Sequence, residues 1–169
     1  MLKKNNMFFG KIGVGKSTVI RKLSEQDSVD FIDCDKEVWK YFNGDVEDIK
    51  SRIIGSITSG DKKAYRKAMF EFSKDIDWED MFSRDANYEV SVLGNIFNRC
   101  TIPKELIDRF HVFKIVCYDD TREANIKERG LDPEWVKKID VMFEDPDGIE
   151  FDVIFNENIL GKRSTPETN

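Results

Sequence analysis

The sequence predicts an α/β domain, a central parallel β-sheet of about five strands with helices on both faces. Three observations carry that expectation. Short apolar runs of strand length recur along the 169 residues and alternate with segments of helical periodicity. A glycine-rich stretch, Gly10-Lys11-Ile12-Gly13-Val14-Gly15-Lys16-Ser17, joins the first strand to the first helix. Hydrophobic residues make up 40% of the chain and charged residues 36%, which suits one globular domain with a substantial core.

Each element has its own signature. Residues 7–9, Met-Phe-Phe, end the first strand, after an unusually polar start from Lys3 to Asn6. The first helix follows from Ser17, with Val19, Ile20 and Leu23 on one face. Residues 28–32 read as the second strand, ending in Asp33-Cys34-Asp35, and residues 36–42 as a helix that Asp35 or Asp33 would cap. Residues 45–54 set Val46, Ile49, Ile53 and Ile54 on one helical face, and residues 55–60 read as a turn. The next helix, 61–72, turns Tyr65, Ala68, Met69 and Phe72 inward and Lys62, Lys63, Arg66 and Lys67 outward. Residues 77–82 start another helix. Residues 88–93 form a third strand in which Glu89 and Ser91 alternate with Val90 and Val92, so it should be less buried than its neighbours. A helix over 103–110 has Pro103 in its first turn, a strand covers 112–117, and a helix over 121–129 is closed by Gly130. Asp132 and Pro133 open another helix as cap and first helical residue, and 151–155 is the last strand. No linker or repeat divides the chain. One domain is expected over 1–160, with a helical lobe at about 45–84, a lid at about 122–148 and a flexible polar tail over 161–169.

The glycine-rich stretch fits G-x-x-x-x-G-K-[ST] through Gly10, Gly15, Lys16 and Ser17. With a strand before it and a helix after it, this is a phosphate-binding loop, and the fold class becomes the three-layer P-loop NTPase fold. Glycines remove the side chains that would keep backbone N–H groups from phosphate oxygens, and the helix N-terminus favours the anion. ATP contacts are therefore expected from Gly10, Ile12, Gly13, Val14, Gly15, Lys16, Ser17 and Thr18, with Ser17 on Mg2+. Asp33 and Asp35 point the same way from a strand end. A carboxylate there can take a proton from an attacking hydroxyl, hold Mg2+ through water, or simply cap the next helix. Lys62 and Arg66 belong to the densest basic cluster in an acidic chain, which reads equally as an anion site for the acceptor or a solvated face.

Other classes are excluded or weakened. The net charge of −6 argues against a general nucleic-acid or membrane-surface partner. Cys34, Cys100 and Cys117 form no metal spacing and no disulfide framework, which suits a reducing cytoplasm. A single histidine, His111, leaves no room for His-based triads or His-rich metal sites. No apolar run is long enough to span a membrane, and no secretory leader pattern is present. A GTPase would need D-x-x-G and N-K-x-D, which are absent, and no apolar strand ends in a clear acid pair of the motor-NTPase type. Oligomeric state is left open.

Several of these stretches together resemble dephospho-CoA kinase, a P-loop enzyme of the nucleoside monophosphate kinase type. Gly10 to Thr18 is similar to that family's G-x-I-G-x-G-K-S-T. Phe31-Ile32-Asp33-Cys34-Asp35 resembles V-I-D-A-D, Gly60-Asp61-Lys62 with Met69-Phe70 resembles its middle motif, and Asp152 to Asn158 resembles its closing A-D-x-V-I-x-N-N. The resemblance implies ATP·Mg2+-dependent transfer to the 3′-hydroxyl of dephospho-CoA. It implies Asp33 as general base and Arg129 as the lid arginine, with Arg122 as its alternative; the residues themselves also offer Asp33 to Mg2+ and Asp35, Lys62 and Arg66 to the acceptor. Lys62 stands where the family has Arg, its H-P-L motif has no counterpart, and the lid over 137–150 is acidic. The alternative reading is a (deoxy)nucleoside monophosphate kinase of viral type, acting in a host cytoplasm. A reading from another class is an ATP-binding protein without turnover.

Overall fold

The computed structural model describes residues 5–90 and 102–161. Five strands, β1 (Asn6–Phe9), β2 (Asp30–Asp33), β3 (Ala86–Glu89), β4 (His111–Val116) and β5 (Asp152–Phe155), form one sheet in the order β2-β3-β1-β4-β5. Every pairing is parallel. The described helices are α1 (Lys16–Asp27), α2 (Cys34–Glu37) with a 3-10 turn over Val38–Lys40, α3 (Val46–Ser59), α4 (Lys62–Ser73), α5 (Trp78–Met81), α6 (Lys104–Ile107), α7 (Asp119–Glu128), α8 (Pro133–Met142) and α9 (Asn156–Leu160). The expected α/β class is what the chain adopts.

The central strand shows why. Successive side chains of a strand point to opposite faces, so a central strand in a parallel sheet must be apolar on both. Met7 and Phe9 join a large core with Ile49, Ile53, Tyr65, Met69 and Ile139 of α3, α4 and α8. Phe8 joins a smaller core with Val19 and Ile20 of α1 and with Ile115.

The departures from the sequence reading have local causes. The third strand starts at Ala86 rather than residue 88, because Asn87 is fully buried with both ends of its amide satisfied. Asn6 Nδ2 donates to Asn87 Oδ1 and Asn87 Nδ2 donates to Ser24 Oγ, each at 2.9 Å. The polar start of β1 has the same explanation, since Asn5 Oδ1 accepts from the Ala86 N–H. Helix α3 runs through Gly55 to Ser59, because Ser56 and Ile57 continue its buried face past the glycine. The helix after β2 begins two residues early, at Cys34, and Asp33 rather than Asp35 caps it by accepting from the Asp35 N–H at 3.0 Å. Strand β2 also does not lie against β1, because β3 separates them. α9 follows β5 directly, where no helix was expected. The expected strand over 91–93, Cys100 and most of the tail lie outside the described residues.

Candidate functional site

Loop 10–15 leaves the carboxyl end of β1 and enters α1. Gly13 and Gly15 hold φ of 84° and 85°, a region that side-chain-bearing residues enter only with strain. At Gly10 the constraint is space: a Cβ would lie 2.5 Å from the Ile115 carbonyl oxygen.

What fixes the loop is a set of four side chains, one for each of four successive carbonyls. Lys16 Nζ donates to Lys11 O at 2.9 Å. Arg122 Nε donates to Ile12 O at 2.9 Å, Asn125 Nδ2 to Gly13 O at 2.9 Å, and Asn156 Nδ2 to Val14 O at 2.7 Å. Carbonyls drawn out to these donors leave the peptide N–H groups available on the opposite side, the disposition an anion cradle requires. Arg122 is itself held from below by Asp140 of α8, through paired bonds of 2.8 and 2.6 Å. Asn125 and Arg122 come from α7 and Asn156 from the β5–α9 junction, so the cradle is shaped by segments more than a hundred residues downstream.

Beside the loop is an acidic row. The register pairs Asp33 with Glu89 across β2 and β3, at the carboxyl ends of both strands. Ser17 Oγ lies 2.9 and 3.0 Å from the two carboxylate oxygens of Glu89. Burial raises the Glu89 carboxyl above the usual range, only partly countered by the Ser17 hydroxyl and by Lys16. Lys16 is 9% exposed, and burial lowers its ammonium to about 8, although Glu89 and Asp35 pull it back up and Arg129 and Arg122 push it down.

A cavity of about 660 Å³ opens over this arrangement. Gly13, Gly15, Lys16, Ser17 and Thr18 line its floor, and Asp33, Asp35 and Glu89 line one wall. Arg129 and Glu128 come from the end of α7, Asn156 and Leu160 from α9, and an apolar patch from Ile12, Val90, Trp135 and Ile139. The oxygen donors at Ser17 and Glu89 suit Mg2+, which binds through one or two carboxylates together with water and phosphate oxygens. That preference is compatible with the lack, among the described residues, of any cluster of three metal-ligating side chains.

The expected site residues therefore divide. Ile12, Gly13, Gly15, Lys16, Ser17, Thr18, Asp33, Asp35 and Arg129 come together around one cavity. Gly10 and Val14 lie behind it, Gly10 against Ile115 and Val14 in the smaller core. Arg122 stands under the loop as a brace and does not line the cavity. Lys62 and Arg66 do not line it either: both are exposed on α4, and Arg66 reaches Glu144 at 3.7 Å. Sequence reasoning missed Glu89, Asn125, Asn156 and Trp135. Glu89 closes β3, whereas the alternation over 88–93 puts it inside a longer strand; the polar Asn87 hides the short apolar run that Glu89 would otherwise mark as ending.

No family model matches the chain. It is 43% identical over 47 residues to shikimate kinase 1 of Hamiltonella defensa subsp. Acyrthosiphon pisum (strain 5AT) and, over the same length, to shikimate kinase of Wigglesworthia glossinidia brevipalpis. Each match covers 27% of this chain and 27% of the relative, so it spans about a quarter of those proteins' length. A solved gluconokinase from Sinorhizobium meliloti 1021 superposes with a TM-score of 0.53 at 16% identity, covering 90% of this chain and 83% of that one. The fold is that of the P-loop kinases. Among the described residues no helix is long and apolar enough to cross a membrane.

Proposed function

We propose that the protein is an ATP-dependent small-molecule kinase acting on a hydroxyl acceptor, with the 3′-hydroxyl of dephospho-CoA as the favoured candidate. The observation that carries this reading is the braced cradle of loop 10–17 with a row of three carboxylates, Asp33, Asp35 and Glu89, facing the same cavity. The partial likeness to kinases named for shikimate supports the reaction class. Phosphoryl transfer asks little covalent chemistry of the protein, so positioning and charge do most of the work.

In this reading the loop N–H groups and Lys16 hold the β- and γ-phosphates, and Arg129 reaches them from the end of α7. Ser17 and Glu89 would hold Mg2+, which supplies charge neutralisation between the phosphates. Asp33 keeps Oδ1 on the Asp35 N–H and presents Oδ2 to the acceptor hydroxyl. It takes that proton as the hydroxyl oxygen bonds to the γ-phosphorus and the bond from phosphorus to the β,γ-bridging oxygen breaks, releasing ADP. The reacting group argues for a hydroxyl over a monophosphate acceptor, because a hydroxyl needs a base such as Asp33 while a monophosphate oxygen is already ionised. The lysines and arginines among the described cavity residues are Lys16 and Arg129, both assigned to ATP, while the acceptor wall is acidic.

Incubation with γ-labelled ATP and a panel of dephospho-CoA and deoxynucleoside monophosphates tests this. Label on dephospho-CoA, lost in Asp33→Asn, supports the proposal. Label on the monophosphates that survives Asp33→Asn replaces it with the monophosphate-kinase reading. ATP binding without transfer to any acceptor would leave a nucleotide-binding protein.

A further inference from the structure

Building on the ATP reading of the loop, we infer that the adjacent pair Asn156–Glu157 is a positioning node for the phosphate cradle. Nothing in the motif itself points to these residues. Asn156 is 4% exposed and spends its amide on Val14 O, 142 positions earlier. The same amide occupies the space a Cβ at Gly15 would need, so the loop has closed around it. Glu157 acts one step removed. Its Oε1 accepts from the Tyr118 N–H at 2.9 Å, at the residue that caps α7. Burial alone would raise the Glu157 carboxyl. Backbone N–H groups of Tyr118 and Glu157, with the Thr121 hydroxyl, outweigh it and hold the carboxyl below its usual range. α7 then carries Arg122 and Asn125 to Ile12 O and Gly13 O. One dipeptide therefore governs three of the four tethered carbonyls, Val14 directly and the other two through the start of α7.

The physical consequence is specific. A peptide unit whose carbonyl is tethered cannot rotate, so its neighbouring N–H groups stay aimed at the phosphates before any ligand arrives. Release of the tether lets the unit turn and makes ATP binding reorganise the loop. Asn156→Asp is the sharpest change, because it keeps the shape, removes the N–H donor and sets a carboxylate oxygen against Val14 O. Asn125→Asp makes the same change at Gly13 from a half-buried site on another element. Glu157→Gln weakens the hold on Tyr118 without touching the loop.

The test uses inorganic tripolyphosphate as a probe that occupies only the cradle, alongside ATP, with binding measured by calorimetry and folding by circular dichroism and Tm. The expected result is that Asn156→Asp weakens tripolyphosphate and ATP by the same factor, about tenfold or more, because a neutral amide–carbonyl bond is replaced by carboxylate–carbonyl repulsion. Asn125→Asp should follow it, and Glu157→Gln should give a smaller loss. A purely structural role would lower Tm without that matched loss in the two ligands. If either aspartate variant folds and binds tripolyphosphate as the parent does, the positioning role is overturned. If Asn156→Asp does not fold, the Glu157→Gln measurement decides: binding of both probes as tightly as the parent overturns the positioning role. If the parent chain binds neither probe, the ATP reading itself falls and takes this inference with it.

Discussion

The two sides of the cavity are built on different principles. On the nucleotide side every carbonyl from Lys11 to Val14 is assigned to a donor, and the donors come from α1, α7 and the start of α9. On the acceptor side the described wall is a row of carboxylates from the ends of β2 and β3 and the start of α2, with an apolar patch, and the basic face of α4 is turned elsewhere. The difference teaches that the phosphate grip is a backbone conformation held by side chains. Acceptor choice, by contrast, is left to side chains alone and is free to change without disturbing the grip.

The largest effect expected from that contrast is on Lys16. Lys16→Ala should lower phosphoryl transfer roughly a hundred- to thousandfold, the scale for removing one charge-stabilising donor. Equal transfer by the variant in a labelled-ATP assay would mean that the cradle is not where the reaction occurs. Next comes the acidic row. Asp33→Asn should cost kcat about a hundredfold or more, the range for a lost general base, with ATP affinity little changed. A loss that falls on ATP binding instead would move Asp33 across to the nucleotide side and break the comparison.

A third test is pH. The Lys16 ammonium sits at about 8 in the free protein because burial disfavours its charge. ATP favours the charged form, so above pH 8 binding must take up a proton, and Kd should rise by up to about tenfold per pH unit. Stability of the unliganded protein should move the other way. The unfolded chain holds this proton up to about 10.5 and the folded chain only to about 8, so folding gains as pH rises through that window. Calorimetry at pH 6.5, 8 and 9.5 reads the first trend and denaturant titration the second; a Kd that stays flat across 8 contradicts both the cause and the assignment. The smallest effect is expected at α4. The Arg66–Glu144 contact joins half-exposed side chains, and pairs of that kind contribute about 0–1 kcal/mol. Lys62→Ala and Arg66→Ala should leave the acceptor KM and kcat within about twofold in the labelled-ATP assay; a large rise in KM would return the basic face to the site.

The legible parts of this molecule are those whose physics is local. Gly10 to Ser17 could be read because strand, loop and helix lie in consecutive residues, and the αL glycines sit where the motif puts them. Asp132 before Pro133 marked the start of α8 for the same reason. What escaped depends on partners far away in the chain. Asn87 looked unfit for a central strand until Asn6 and Ser24 supplied its bonds. Glu89 looked like a solvent-facing alternation because the sequence does not say where the strand stops. Asn125 carries no local mark, and Asn156 lies in the closing stretch without showing its role, since both roles are defined only by loop carbonyls more than a hundred residues earlier.

One consequence follows from the reach of Asn156. The motif at the amino end is synthesised early, yet its geometry waits for a strand and helix that leave the ribosome some 140 residues later. A nascent chain halted before β5 would carry the whole signature and lack the finished grip. In the ATP reading, nucleotide capture would double as a report that the sheet has closed.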